Sequence, residues 1–504
     1  MVNRLRRVKM TFRITRKIMS SQISKIYSAC NPNKPATEEF YYDCSIARGG
    51  NVFVNEIKTH ITLANDSMDD DEPSAKDFKN FLFTGHSGCG KSSELTRLSR
   101  ELESHSEDVR FFPLFINVDE YLDRFDVTIT DVLLAIATEA ADILRNAENI
   151  NLEGNYFQKF FEKLKEAAFT EWEVEKLEFG LPYGLPKVGI KRLAKDATAR
   201  EKVRTALKAD TYLLLQEINL LLQEARKQVK NLTAHGAARN YNDVVIILDN
   251  LEKIQKFDQQ ETSLDSAKRL FFDYSTQLTG IESHIIYTVS IDLMRSSDAQ
   301  RLRWLYDQSF VLPMVKVFQR DGETEFEEGC KAMKGILEKR LGDIKLEDAF
   351  TPDALDLLIR YSGGHIRSFI RFARESCADA LQKGLPINFD NADHVIRNEF
   401  GSISPSSFSP DTWAILAKLD LSNDQQVETD ADKYAEMLEK LILFEYINGD
   451  GESAANGAKR KDYNRNVHWN AANPFLRELT QFERAKEQLL NPAEEKPEIA
   501  EELG

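Results

Sequence analysis

Residues 85–92 read Gly-His-Ser-Gly-Cys-Gly-Lys-Ser, which fits G-x-x-x-x-G-K-[ST] with no departures. These residue types in this order suit the holding of a polyphosphate. Gly85, Gly88 and Gly90 let the backbone turn tightly and come close to an anion. The N–H groups of the loop from Gly85 to Ser93, His86, Ser87 and Cys89 among them, then point at phosphate oxygens together with the helix start that follows. Lys91 would reach the β- and γ-phosphates, and the Ser92 hydroxyl would ligate Mg²⁺. The alternative is a chance glycine-rich turn. Against it, Phe81, Leu82 and Phe83 read as a short buried strand just before the loop, and Ser93-Glu94-Leu95 opens a helical pattern just after it. The Cys89 thiol is either oxidation-sensitive or a small residue filling a loop position.

A phosphate loop without a catalytic acid binds and does not hydrolyse, so the remaining carboxylates matter. Val244-Val245-Ile246-Ile247-Leu248 run into Asp249, five apolar residues ending in an acid. That describes a buried parallel strand with a carboxylate at its C-terminal edge, where ligands gather in doubly wound sheets. Asp249 would hold Mg²⁺, and Glu252, at D-x-x-E spacing, would polarise the attacking water. The competing readings are a helix-capping Asp249 and a Glu252 on a solvated face beside Lys253. A later strand over 283–289 ends at Thr288, Val289 and Ser290. A hydroxyl there contacts either the γ-phosphate or the strand-end backbone. Arg367 follows Ser362-Gly363-Gly364-His365-Ile366 in the first turn of a helix. The helix dipole disfavours a cation at that place, so the residue suits an anion such as a γ-phosphate, or else a carboxylate bridge. Arg295, Arg301 and Arg303 form a cluster that is either a trans-acting charge sensor or a solvated salt-bridge group.

The elements that must position these residues follow from periodicity. Segments 81–83, 109–118, 244–248, 283–289 and 310–318 read as five apolar strands, with helices between them over 55–64, 91–105, 128–146 and 264–278. This is a parallel α/β sheet. Ahead of its first strand, Arg48 and Val52 stand where the segment before a phosphate loop often covers the base of a bound nucleotide. Residues 147–240 interrupt the alternation with helical periods at 157–169 and 202–229, and a Gly/Pro-rich stretch at 179–191. They read as a helical insertion. A helix over 327–341 lies within the core, and helices over 352–361 and 366–380 form a helical lid. Beyond the Ser/Pro-rich stretch 401–409, helices at 410–419 and 431–441 precede a hairpin, which suggests a winged helix. The boundaries so drawn are a basic leader at 1–39, a nucleotide-binding core at 40–345, the lid at 346–400, the winged helix at 401–489 and an acidic tail at 490–504.

Composition bounds the rest. The chain has 504 residues, 42% of them hydrophobic, and a formal net charge of −16. No run approaches the ~20 apolar residues of a membrane-spanning helix. Cys30, Cys44, Cys89, Cys330 and Cys377 are scattered, with no C-x-x-C pair, which points to a reducing, cytoplasmic compartment and away from a zinc site. The acidic balance disfavours nucleic-acid binding by the whole surface. Two local exceptions remain. Residues 1–18 hold seven basic residues and no acid. They read as a disordered arm, or as an over-extended start with translation beginning at Met19, with a transit peptide and a nucleic-acid or anionic-lipid arm as the other readings. Lys459, Arg460, Lys461 and Arg465 lie in the wing of the hairpin, where they could meet DNA. The competing use of such a module is protein docking.

Taken together, GHSGCGKSSEL, VVIILDNLE, IIYTVS and SGGHIR, with a terminal winged helix, resemble the AAA+/STAND branch of P-loop ATPases. More narrowly they resemble uncharacterised bacterial ATP-binding proteins with a G-H-x-G-x-G-K-S-x-E-L loop. The resemblance covers about residues 40–489, and the phosphate loop is its one highly specific motif. It implies ATP and Mg²⁺ as ligands, Lys91 and Ser92 as the Walker A pair, and Asp249 and Glu252 at the Walker B positions. Thr288 or Ser290 would stand at sensor 1 and Arg367 at sensor 2. Asn250 departs from the pattern where many relatives carry a second acid, which implies slow hydrolysis. The implied activity is that of an ATP-driven switch, in signalling or anti-phage defence, with a protein partner or effector and ATP-dependent self-assembly. A DNA-binding scaffold with structural ATP and a DNA-loading ATPase are the other readings.

Overall fold

The computed structural model describes residues 21–36, 38–50, 52–67, 76–104, 109–146, 196–208, 211–231, 241–254, 263–422, 430–448 and 468–491. The expectations for 1–18, 157–169, 179–191, most of the acidic tail and the basic wing residues fall outside them. The chain divides into two compact units. One comprises Asn51–Gly85 and Lys91–Leu312, the other Met1–Gly50, His86–Gly90 and Pro313–Gly504.

The first is a sheet unit. Helix α1 (Val52–Ser67) buries Val54, Ile57, Ile61 and Ala64, a single stripe at three- and four-residue spacing. Strand β1 (Asn80–Gly85) is buried along its whole length, and α2 (Lys91–Glu103) starts where the phosphate loop ends. Strand β2 (Phe111–Asn117) leads to α3 (Ile129–Asn146). Two helices, α4 (Ala197–Lys208) and α5 (Thr211–Asn231), stand where one was expected over 202–229. Helix α5 packs against α3 through residues such as Leu214, Ile218, Leu221 and Ala225.

Strands β3 (Asp243–Asp249), β4 (His284–Thr288) and β5 (Gln308–Leu312) complete the sheet. Its order is β2-β3-β4-β1-β5, and every pairing is parallel. The five-stranded parallel sheet expected from the apolar runs is therefore present. Central strands buried on both faces need continuous apolar sequence, and Val244–Leu248 supplies it. Two further elements differ from expectation. The last strand stops at Leu312 rather than running to 318, because Pro313 has no N–H to donate to a neighbour. The single helix expected over 264–278 is three short pieces, with a π-type turn at Arg269–Asp273 in the middle. The widened turn lets three consecutive residues, Leu270, Phe271 and Phe272, all be buried.

The second unit is mainly helical. Helices α6 (Glu327–Leu341), α7 (Pro352–Ser362), α8 (Ile366–Lys383) and α9 (Phe389–Ser402) build a core around Met333, Phe350, Phe369, Phe372 and Phe475. Helix α9 was not anticipated. Its start is fixed by a capping box between Asn388 and Asn391. Helix α7 ends on Gly363 at φ +56°, and a Cβ on the following Gly364 would lie 1.7 Å from the Val315 carbonyl oxygen. Only glycine serves at both places. Beyond them, α10 (Pro410–Ser422) and α11 (Ala431–Glu439) precede an antiparallel hairpin of β6 (Leu443–Ile447) and β7 (His468–Ala472), followed by α12 (Thr480–Leu490).

Candidate nucleotide site

In the sheet unit the site is built at the C-terminal edge. Asn117 ends β2 in register with Asp249 at the end of β3. Next along, β4 ends on Thr288, and β1 beside it ends on Gly85. Past Asp249 the chain reverses through Asn250, which sits at φ +71°. Asparagine tolerates this left-handed conformation better than most residues, because its short polar side chain can hydrogen-bond locally. Here its Nδ2 donates to Asn117 Oδ1 at 2.8 Å. The turn is held from the other side by Thr288. Its Oγ1 accepts from Leu251 N–H at 2.8 Å and donates to the Leu248 carbonyl at 3.1 Å. Thr288 is fully buried, and its hydroxyl thus serves the backbone of the Asp249 turn.

That turn brings Glu252 back to Lys91. Lys91 Nζ lies 3.2 Å from Glu252 Oε1 and donates to the Gly85 carbonyl at 2.8 Å. Glu252 Oε2 is buried and makes no hydrogen bond. Ser92 hydrogen-bonds to the Asp249 carboxylate. Burial pushes that carboxyl up to about 6 and the negative charge of Glu252 pushes the same way, against the Ser92 hydrogen bond and the positive charges of Lys253 and Lys91. The Asp249 carboxylate, bonded to the Ser92 hydroxyl and with a raised proton affinity, forms an oxygen-rich corner that suits a hard divalent cation. Among the described residues no group of three or more His, Cys, Asp or Glu converges as a self-sufficient metal centre.

A flanking network went unread in the sequence. Arg124 makes a two-pronged bond to Asp119 at 2.7 and 2.8 Å, and Lys253 reaches the same carboxylate at 3.0 Å. Burial alone would raise the Asp119 carboxyl, but these two cations hold it below its ordinary value. Lys253 is thereby held on Asp119, next in sequence to Glu252.

The middle of the loop, His86–Gly90, belongs to the helical unit and is gripped there residue by residue. His86 is fully buried. Its Nδ1 is 3.1 Å from the Leu438 carbonyl, and its Nε2 accepts from Glu445 N–H at 3.0 Å. Ser87 O accepts from His365 Nε2 at 2.6 Å, and Ser87 Oγ accepts from Arg367 at 3.0 Å. Gly88 O accepts from Arg367 N–H at 3.2 Å. Cys89 O accepts from Arg48 at 2.5 Å. In a trans peptide the N–H points opposite to its carbonyl. With the carbonyls of Ser87, Gly88 and Cys89 tied down, the N–H groups of Gly88, Cys89 and Gly90 turn away from these partners. The Cys89 N–H closes a turn on His86 O. Gly88 at φ +86° and Gly90 at φ +108° make that path possible.

The predicted residues thus fall into two groups. Lys91, Ser92, Asp249 and Glu252 converge at the sheet edge, with Thr288 behind them. His86, Ser87, Gly88, Cys89 and Gly90 form a cluster with Arg48, His365 and Arg367 in the other unit. Ser93 follows in the first turn of α2. Val52 opens α1, whereas Arg48 lies on the loop backbone. Cys89 is buried, as a small filling residue would be. Sequence reasoning missed Asn117, Asp119 and His365 as partners. The usable signals were a second strand ending in a polar residue and a histidine directly after two glycines. Lys459, Arg460, Lys461 and Arg465 lie outside the described residues.

No protein-family model and no curated protein matches the sequence. Among solved structures, the chain is similar to Cdc6p from Pyrobaculum aerophilum, at 12% identity over 92% of this chain and 98% of that one, with a TM-score of 0.35. It is also similar to the Drosophila ORC bound to DNA, at 12% identity over 92% of this chain and 91% of that one, with a TM-score of 0.33.

Proposed function

We propose that this chain binds ATP with Mg²⁺ and hydrolyses it slowly, as a P-loop ATPase of the AAA+/STAND kind acting as a molecular switch in signalling or defence. The observation that carries the reading is the pairing at the sheet edge, where Lys91 meets Glu252 at 3.2 Å and Ser92 meets Asp249. The phosphate-binding lysine, hydroxyl ligand, metal carboxylate and candidate base of this reading come from two separate stretches of sequence, 91–92 and 249–252. Mg²⁺, held by Ser92 and Asp249, would neutralise phosphate charge and polarise the transferred phosphoryl group. Lys91 leaves Glu252 to meet phosphate. Glu252 Oε2, buried and without a hydrogen bond, is the oxygen that would accept a proton from water. Thr288 and Asn117 hold the turn that aims Glu252. Arg367 would exchange its Ser87 hydroxyl for an anion seated on the loop. Asn250 stands where a second acid would strengthen metal or water binding, and this supports a low rate. The reading is tested by nucleotide binding and turnover in Lys91→Ala and Glu252→Gln. Full turnover in Glu252→Gln would remove the base assignment.

A further inference from the structure

His86 has no free nitrogen for a phosphate. Both ring nitrogens are used inside the helical unit, and together they span one junction. Nδ1 faces Leu438 O in the last turn of α11, and Nε2 accepts from Glu445 N–H in the middle of β6. Since Nε2 is an acceptor, the ring is neutral and its proton sits on Nδ1, where it shares the Leu438 carbonyl with the Leu441 N–H, itself 3.2 Å from that oxygen. Between these anchors the chain makes a tight turn in which Leu441 sits at φ +56°. A leucine there is strained, and such strain persists only where the surroundings over-determine it. Asn473 supplies part of that support, donating Nδ2 to Leu441 O at 2.9 Å and its N–H to Ile442 O at 2.9 Å. His86 supplies the part that comes from the phosphate loop. The same strand also reaches the glycine corner after α7. Tyr446 donates to Gly363 O at 2.7 Å, and a Cβ on Gly363 would lie 2.8 Å from the Phe444 ring.

Resting on the nucleotide reading above, we propose that His86 is a positioning residue that couples the occupancy of the phosphate loop to the α11–β6 turn and the root of the C-terminal hairpin. A loop that tightens on phosphate draws its second residue with it. His86 then pulls on Leu438 O and Glu445 N–H, the two ends of a turn already under strain. The hairpin responds through main-chain contacts, and no side chain of β6 need touch the ligand.

The test uses the full chain and MgADP as the probe, with amide hydrogen exchange of residues 441–447 read by mass spectrometry alongside MgADP affinity. In wild type, MgADP should change exchange in this segment by about fivefold or more, the equilibrium equivalent of one hydrogen bond. His86→Asn keeps a donor near the Nδ1 position and loses the acceptor for Glu445. It should bind MgADP and lose that response. His86→Gln, which can place an acceptor near the Nε2 position, should recover part of it. Tyr446→Phe removes only the Gly363 contact and should leave the response intact, which keeps the test decisive if a His86 variant fails to fold, since loss of the response in Tyr446→Phe would assign the coupling to Gly363. An unchanged response in a folded His86→Asn overturns the coupling alone, as does wild type that binds MgADP with no change at 441–447. Absence of MgADP binding to wild type overturns the nucleotide reading and the coupling with it.

Discussion

Lys91 Nζ and Glu252 Oε1 lie 3.2 Å apart, with the lysine 4% and the glutamate 12% exposed. The two groups that would serve opposite ends of a phosphoryl transfer are thus each other's partner. A buried ion pair of this kind is expensive to break from one side only. On the proposed reading nucleotide binding would break it, the pair would compete with phosphate for Lys91, and its removal would have two separable consequences.

Lys91→Ala should abolish measurable nucleotide binding. Glu252→Gln should lower turnover by about a hundredfold or more, as loss of a general base does. Its nucleotide affinity should not fall and should rise about fivefold, because the competing charge is gone and the Asp249 corner loses one negative neighbour. Calorimetric MgADP binding and single-turnover hydrolysis separate these effects. Weaker binding in Glu252→Gln would mean that Glu252 holds the ligand rather than competing with it.

The Asp249 carboxyl is raised from 3.8 to about 6 by burial and by Glu252. The folded chain binds this proton more readily than the unfolded chain, so the unliganded fold loses stability as pH rises from about 4 through 6, by on the order of 3 kcal/mol. Metal needs the ionised carboxylate, so Mg²⁺-dependent nucleotide affinity should fall about tenfold per pH unit below that range and level off above it. Binding titrations between pH 5 and 8 check this. In Glu252→Gln the midpoint should move down, since one of the two raising causes is removed. A midpoint that stays in place would assign the raised value to burial alone.

How much of this was legible in the sequence depends on how local each signal is. The phosphate loop, the strand Val244–Leu248 and the acid after it announce themselves, because backbone conformation and burial write directly into residue type. Pro313 ending β5 could have been read in the same way. The partners of the loop could not. His86 is a loop residue by sequence, and nothing near it in the chain says that Leu438 and Glu445 will take both its nitrogens. Thr288 stood between two roles that differ only in where its hydroxyl points, and two backbone groups 37 and 40 residues away decide that direction. Asn250 looked like a missing acid. Its φ of +71° shows that the position also asks for a residue that accepts a left-handed turn.

Thr288→Val tests that turn. The substitution keeps the shape and removes the acceptor for Leu251 N–H, leaving a buried donor unpaired at a cost of roughly 1–3 kcal/mol. Thermal or denaturant unfolding should show this loss. Because the turn aims Glu252, kcat should fall while MgADP affinity changes little. If affinity falls as much as kcat, Thr288 contacts the ligand itself. Ser290→Ala, one step beyond the strand, should leave kcat near wild type.

Gly88→Ala probes the loop from the other unit. Gly88 sits at φ +86°, which costs an L-residue roughly 1–2 kcal/mol. A Cβ there would also lie 2.6 Å from His365 Nε2 and 2.7 Å from the Arg367 Cβ. Neither neighbour can give way cheaply. His365 is held to Ser87 O and to Ser368, and the Arg367 Cβ is fixed by a backbone whose N–H bonds Gly88 O. The substitution should therefore break the grip on Ser87 and Gly88, lower the unfolding midpoint and eliminate MgADP binding together. Arg367→Ala separates the two effects, since it frees the Ser87 hydroxyl and leaves the glycine conformation alone. Its stability should be near wild type, and discrimination between ATP and ADP should narrow, because the side chain that would meet the terminal phosphate is gone. Unchanged discrimination in Arg367→Ala, measured by competitive binding of the two nucleotides, would leave Arg367 as a clasp on the loop and nothing more.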